Sequence, residues 1–296
     1  MSKHLASLNT TSCALHIFLF VKGNEMLIIK IILNFDKTGR LSVSKYLSVA
    51  KKAIREASKI TLDYYTKQNF SISIKKDNTP VTNADKKAEK TIIKIIKESF
   101  PDHGFWGEET GVSRNNSEFI WIIDPIDGTK NFIAGIPFWG TLIALMHKDE
   151  VILGLSYVPL MKEMLWAEKG KGAFLNGKRV NVSNGQNLSD SMISFGSLKT
   201  FYGKKLGKNL IDLSNKCKRQ RSFGDLYPYH LLAAGKIDLV VEAAIKLVDV
   251  APFDCIIKEA GGTSSDLKGK PLDIKILSFI ASNGRIHKEA LVILNK

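Results

Sequence analysis

The sequence predicts an α+β fold built in layers, on three observations. Stretches with apolar residues at three- and four-residue steps recur in both halves of residues 41–296, as amphipathic helices require. Short alternating or continuous apolar runs, bounded by Gly, Pro and Asn, read as strands between them. The two kinds of element do not alternate strictly, which favours packed α and β layers over a doubly wound parallel sheet.

In chain order, Val43, Leu47, Ala50, Ile54, Ala57 and Ile60 mark one helix of about 25 residues beginning at Leu41. Ile72 and Ile74 alternate as in a strand, and Lys75-Lys76-Asp77-Asn78-Thr79-Pro80 is a turn-rich loop. Asn83-Ala84-Asp85 opens a second amphipathic helix through Ala88, Ile92, Ile95 and Ile96, stopped by Pro101. Residues 120–123 form a short buried strand, 141–146 and 151–157 are strands, and 170–177 is a hairpin-like loop before a strand at Val180 and Val182. Helices return at 203–217, 227–234 and 251–260, with a strand at 237–242 between them. There is no internal repeat or low-complexity linker, so residues 41–296 read as one domain.

Composition narrows the function only by exclusion. The 296 residues carry 43 Lys+Arg against 29 Asp+Glu, a net charge of +14, yet 44% are hydrophobic, too many for a disordered chain. Cys13, Cys217 and Cys255 are odd in number and have no metal-ligand spacing, which supports neither a disulfide framework nor a structural zinc site and makes a reducing, cytoplasmic setting the expectation. The apolar runs at 14–21 and 26–35 fall short of the roughly 20 residues that a spanning helix needs. Lys22-Gly23-Asn24-Glu25 offers no small-residue cleavage site. Residues 1–40 are set aside as an N-terminal extension, with Met26 or a later codon as an alternative start. The lysines are dispersed, as on an ordinary solvated surface, and the charge leaves the partner open.

In a chain this basic, the gathered carboxylates carry the information. The strand at 120–123 delivers Asp124-Pro125-Ile126-Asp127-Gly128-Thr129, with Gly107-Glu108-Glu109 upstream. Pro125 removes a backbone donor and turns the chain, so that Asp124 and Asp127 can point into one space. Neighbouring carboxylates repel unless a cation joins them, and oxygen-only donors favour Mg²⁺ or Mn²⁺ over zinc. Gly128-Thr129 offers backbone N–H groups at a helix start, a cradle for phosphate. A lone Asp-x-x-Asp would more often cap a helix. Here three acidic sites occur together.

The chain resembles the inositol monophosphatase family from about Leu41 to its end. The resemblance rests on Pro80-Val81-Thr82-Asn83-Ala84-Asp85, Gly107-Glu108-Glu109, the string from Asp124 to Phe132, Gly170-Lys171-Gly172-Ala173-Phe174-Leu175-Asn176-Gly177, Asp249, and Glu259-Ala260-Gly261-Gly262, in that order. It implies an αβαβα sandwich of the inositol monophosphatase and fructose-1,6-bisphosphatase type, with a metal-binding half at 41–185 and a substrate-covering half at 186–296. It also implies a Mg²⁺-dependent, lithium-sensitive phosphomonoesterase that uses a metal-activated water in line. Two to three Mg²⁺ ions are expected, with Mn²⁺ as a substitute. Glu108, Asp124 and the Ile126 carbonyl would hold the first, and Asp124, Asp127 and Asp249 the second. A third would use Glu108 through waters. Asp85 and Thr129 would take the proton of the attacking water, and Gly128 and Thr129 would bind the phosphate.

One departure is Leu247-Val248-Asp249-Val250-Ala251-Pro252, where the family often has an aromatic before the Asp and small residues after it. Pro252 is expected in the first turn of the following helix. The segment Arg221-Ser222-Phe223-Gly224-Asp225-Leu226-Tyr227-Pro228-Tyr229, with Ser194-Phe195-Gly196-Ser197-Leu198, looks closest to the histidinol-phosphate phosphatase branch. Asp225 and Glu242 could pair with the ammonium of histidinol phosphate, and inositol 1-phosphate is the alternative substrate. The competing reading of Asp225 is a cap for the helix near Tyr227. The family resemblance implies a homodimer acting on a small phosphorylated metabolite. Some bacterial relatives contact RNA or the transcription machinery, an alternative role, but no RNA-binding aromatic motif is present to favour nucleic acid here, and no membrane partner is expected.

Overall fold

The computed structural model describes residues 13–17, 31–35, 44–113 and 116–296. The readings of residues 1–40 as an extension and of Leu41 as a helix start lie outside the described residues, two short strands apart. The chain divides between Ser48 and Val49 into two compact units. In the first, strands β1 (Cys13–Ile17) and β2 (Ile31–Phe35) pair antiparallel, Cys13 opposite Phe35.

The second unit carries the chemistry. Strands β3 (Ile72–Ile74) and β4 (Pro80–Thr82) form a hairpin. An eight-stranded sheet follows from β5 (Gly104–Gly107), β6 (Gly111–Ser113), β7 (Phe119–Asp127), β8 (Gly140–His147), β9 (Glu150–Val158), β10 (Glu163–Glu168), β11 (Gly172–Leu175) and β12 (Lys178–Val180). A five-stranded sheet is ordered β14 (Arg219–Gln220), β13 (Met192–Phe195), β15 (Leu239–Glu242), β17 (Phe279–Ser282), β16 (Thr263–Ser265). The helices are α1 (Lys45–Lys67), α2 (Asn83–Ser99), α3 (Thr129–Ile133), α4 (Leu198–Gly203), α5 (Gly207–Lys216), α6 (Tyr227–Ala233), α7 (Leu247–Glu259) and α8 (His287–Leu294).

Period-two alternation assigns the layers. On β7, Ile120 and Ile122 join the core shared with α6 and α7, whereas Trp121 faces the end of α2, its ring 5.9 Å from Phe100. On the second sheet, Val240 and Ala281 join that same core, while Leu239, Val241 and Ile280 pack with residues of α4, α5 and α8. α6 and α7 are therefore the middle layer of an αβαβα sandwich, and α7 is buried on nearly every side, as its continuous apolar sequence demands.

Three local expectations are corrected. The helix expected at 251–260 begins at Leu247, because Asp249 closes its first turn, so Pro252 lies inside it and withholds a hydrogen bond from the Val248 carbonyl. The burial of α7 between two sheets offsets that loss. The helix expected at 203–217 begins only at Gly207, because a separate helix, α4, ends at Gly203 and the chain turns at 204–206, where Lys205 adopts a left-handed φ of 60°. The chain does not turn at Pro125 either, since β7 continues to Asp127 through a bulge.

Candidate active site

The bulge is what gathers the first two carboxylates. Asp124 pairs with Leu142 and Asp127 with Gly140, so three steps on β7 oppose two on β8. The extra residue re-aims the side chains at the strand end. Pro125 fits because no ladder donor is required there, and its carbonyl accepts from the Thr141 hydroxyl at 2.9 Å. Asp124 Oδ1 accepts from the Ile126 N–H at 3.0 Å. Neither Asp caps α3: the N-cap is Gly128, with no side-chain bond. Gly128 is required twice, by its φ of 83° and because a Cβ would stand 2.9 Å from the Phe138 carbonyl and 3.0 Å from Asp225 Oδ2.

Helix starts supply two more acids. Asp85 is the third residue of α2, and its Oδ2 accepts from the Thr82 N–H and hydroxyl at 2.7 and 2.6 Å, which completes a capping box. The Thr129 hydroxyl lies 3.4 Å from Asp85 Oδ1 and 3.0 Å from the Ile126 carbonyl oxygen. Asp249, third in α7, accepts from the Lys246 N–H at 2.7 Å. Glu108 follows β5, and its N–H donates to the Ile123 carbonyl. The buried Glu89 of α2 accepts from the N–H groups of Glu109 and Thr110 at 3.0 and 2.8 Å and so fixes that strand end.

Glu108, Asp124, Ile126, Asp127, Gly128, Thr129, Asp225 and Asp249 line one cavity of about 410 Å³, whereas Asp85 is fully buried and does not line it. An oxygen from each of Asp124, Asp127 and Asp249 lies within 4.8 Å of the others. Glu242 faces an adjoining recess that also exposes Asp127, Asp225 and Asp249. Its carboxylate needs the bare backbone of Gly196, where a Cβ would fall 1.9 Å from Oε2. Asp225 does not cap α6, whose N-cap is Leu226, but accepts from Asn131 Nδ2 at 3.0 Å at the cavity wall.

Reasoning from sequence missed the cations at the rim. Lys75 Nζ sits 3.0 Å from Glu108 and 2.5 Å from Glu109, and Lys246 Nζ sits 2.9 Å from Asp77 and 3.6 Å from Glu108. The β3–β4 hairpin is thereby tied across the cavity to the start of α7. Burial opposes the Lys75 ammonium, but the hydrogen bonds it donates to Glu109 and Glu108, with the charges of those carboxylates, outweigh it and hold its pKa above the ordinary lysine value. A lysine in a loop that also holds Asp77 and Asn78 was the available signal.

The electrostatics call for a cation. Burial first, then Glu108, Asp127, Asp249 and Asp85, push Asp124 well above the carboxylate range, and burial with Asp225 and Asp249 does the same to Asp127. Burial raises Asp85 and Asp249 each to about 6 and, with Asp225 and Asp249 adding to it, Glu242 to about 8. A hard divalent ion suits this all-oxygen donor set and would relieve the repulsion. A stability prediction follows. Unfolded carboxyls titrate near 4, so between about pH 4 and 8 the metal-free folded protein holds protons that the unfolded chain has released. Stability is then full below about pH 4 and is lost as pH climbs through 6 and 8. In chelator, the thermal midpoint should fall by roughly 5 °C or more from pH 5.5 to 8.5. A midpoint that rises over that span would refute the assignment.

Among the described residues no helix is long and apolar enough to cross a membrane. Residues 42–295 match a sequence model described as the inositol monophosphatase family. A histidinol-phosphatase of Streptomyces coelicolor is 36% identical over 249 residues, covering 81% of this chain and 93% of the relative. Among solved structures, the extragenic suppressor protein suhB of Bartonella henselae superposes with a TM-score of 0.79 at 31% identity, over 86% of this chain and 99% of that one. An IMPase of Thermotoga maritima gives 0.78 at 32%, over 85% and 97%.

Proposed function

The chain belongs to the inositol monophosphatase family of phosphoric monoester hydrolases, and from that premise we propose that it is a Mg²⁺-dependent phosphatase acting on histidinol phosphate. The observation that carries the proposal is the pairing, in a cavity and the recess adjoining it, of a three-aspartate floor with a second acidic wall formed by Asp225 and Glu242. The floor suits the phosphate end of a substrate through a cation. The wall suits a cationic organic end.

Asp124, Asp127 and Asp249 would hold the ions, with Glu108 and the Ile126 carbonyl completing the set. Bound Mg²⁺ supplies charge neutralisation for the phosphate dianion and makes a water more acidic. The protein does the rest by position. Gly128 and Thr129 present N–H groups at the start of α3 to the phosphate oxygens. Thr129, 3.4 Å from Asp85, relays the proton of the attacking water to that carboxylate, which burial makes basic enough to take it. No side chain need act as nucleophile, and Cys217 and Cys255 are buried in the apolar cores, outside the cavity. Attack is therefore by water in line with the leaving alcohol.

The wall is testable apart from the floor. Wild type should hydrolyse histidinol phosphate with a kcat/KM at least about tenfold above that for inositol 1-phosphate at equal Mg²⁺. Asp225→Asn should cost about 100-fold on histidinol phosphate through a lost charged contact, and only a few-fold on inositol 1-phosphate. A clear preference for the inositol ester in wild type would sink the substrate assignment.

A further inference from the structure

We propose that the Tyr229 hydroxyl is a further substrate-contacting group, accepting a hydrogen bond from an N–H or O–H on the organic part of the phosphate ester. Tyr229 is only 3% exposed, yet its hydroxyl has no hydrogen-bond partner. It lines the 110 Å³ recess formed with Asp127, Asp225, Glu242 and Asp249, immediately beside the cavity. A buried polar group of this kind normally finds a partner, and one left open at a pocket wall marks where a ligand completes the set.

The ring cannot turn aside to satisfy the hydroxyl elsewhere. It stacks on Phe253 with centroids 4.3 Å apart and planes 13° apart, and Phe279 lies 6.0 Å away. Burial holds the phenol in its protonated form, with the four recess carboxylates adding to the effect. The group is then a fixed phenol with no partner from the protein, and its lone pairs are open to a donor on the ligand. Asp225 and Glu242 can pair with positive charge from any direction, whereas the phenol fixes one direction and so selects how the organic part lies.

This inference rests on the reading of the cavity as a phosphate-ester site. Tyr229→Phe removes one oxygen and keeps the stack on Phe253, so the thermal midpoint should hold or rise. Its kcat/KM on histidinol phosphate should fall about tenfold, mainly through KM, and histidinol should bind about tenfold more weakly by calorimetry. On p-nitrophenyl phosphate, whose organic part carries no hydrogen-bond donor, turnover should stay within about twofold. Equal losses on both esters, or no loss on either, overturn the proposal. Should wild type prefer inositol 1-phosphate, the substrate assignment fails by itself, and the contrast between that ester and p-nitrophenyl phosphate tests Tyr229 in the same way.

Discussion

Asp124→Asn should lower kcat by about three orders of magnitude or more while the metal-free protein melts higher than wild type. The two effects have one origin. Asp124 is 2% exposed and is crowded by the carboxylates of Glu108, Asp127, Asp249 and Asp85, so its negative charge is a liability to the empty fold. Asparagine keeps the shape and still accepts from the Ile126 N–H at the bulge, but it withdraws the central ligand from the floor of the cavity. Phosphate release at saturating Mg²⁺, calorimetric titration of Mg²⁺ and a melt in chelator report the three quantities separately. Turnover within about tenfold of wild type would show that Asp124 does not hold the metal.

Gly154→Ala should destabilise the protein by about 3 kcal/mol, a fall of roughly 5 °C in thermal midpoint, and should weaken Mg²⁺ binding although Gly154 touches no ligand. A Cβ on Gly154 would lie 2.2 Å from the Pro252 carbonyl oxygen, which is backbone and cannot swing away. The strand β9 must then release α7, and Asp249 rides on the first turn of α7. Asp124 and Asp127 stay with the sheet, so the separation of the three oxygens changes. A variant that melts like wild type and binds Mg²⁺ equally well would show that α7 can shift without cost.

The layered fold and the acids of the site were legible because each is written locally. The Asp-Pro-Ile-Asp-Gly-Thr string, the capping signal at Thr82-Asn83-Ala84-Asp85 and the period of the helices all lie within a few residues. The bulge at Asp124 was not legible, because it depends on which residues of β8 lie opposite. Lys246 and Asp77 are 169 residues apart, and nothing local to either announces the other. Pro252 misled for a related reason: a proline argues for a helix start when the helix must support itself, but α7 is supported from two sheets. Tyr229 stood in a string already noted, yet only the packing of Phe253 and Phe279 shows that its hydroxyl is left open at a pocket wall.

Asp85 and Asp249 each close the first turn of a helix with the carboxylate that the proposed chemistry uses. Alanine at either position would unravel a helix start, at about 1 kcal/mol, in the same stroke that empties the site. A survey of random substitutions scored by protein abundance would therefore rank both as scaffold. Only asparagine separates the two duties, since it still accepts from a backbone N–H but carries no charge. A lineage that abandoned the chemistry would keep an oxygen at both positions for the sake of its helices, so in any relative of this chain the charge, and not the acceptor, is the record of activity.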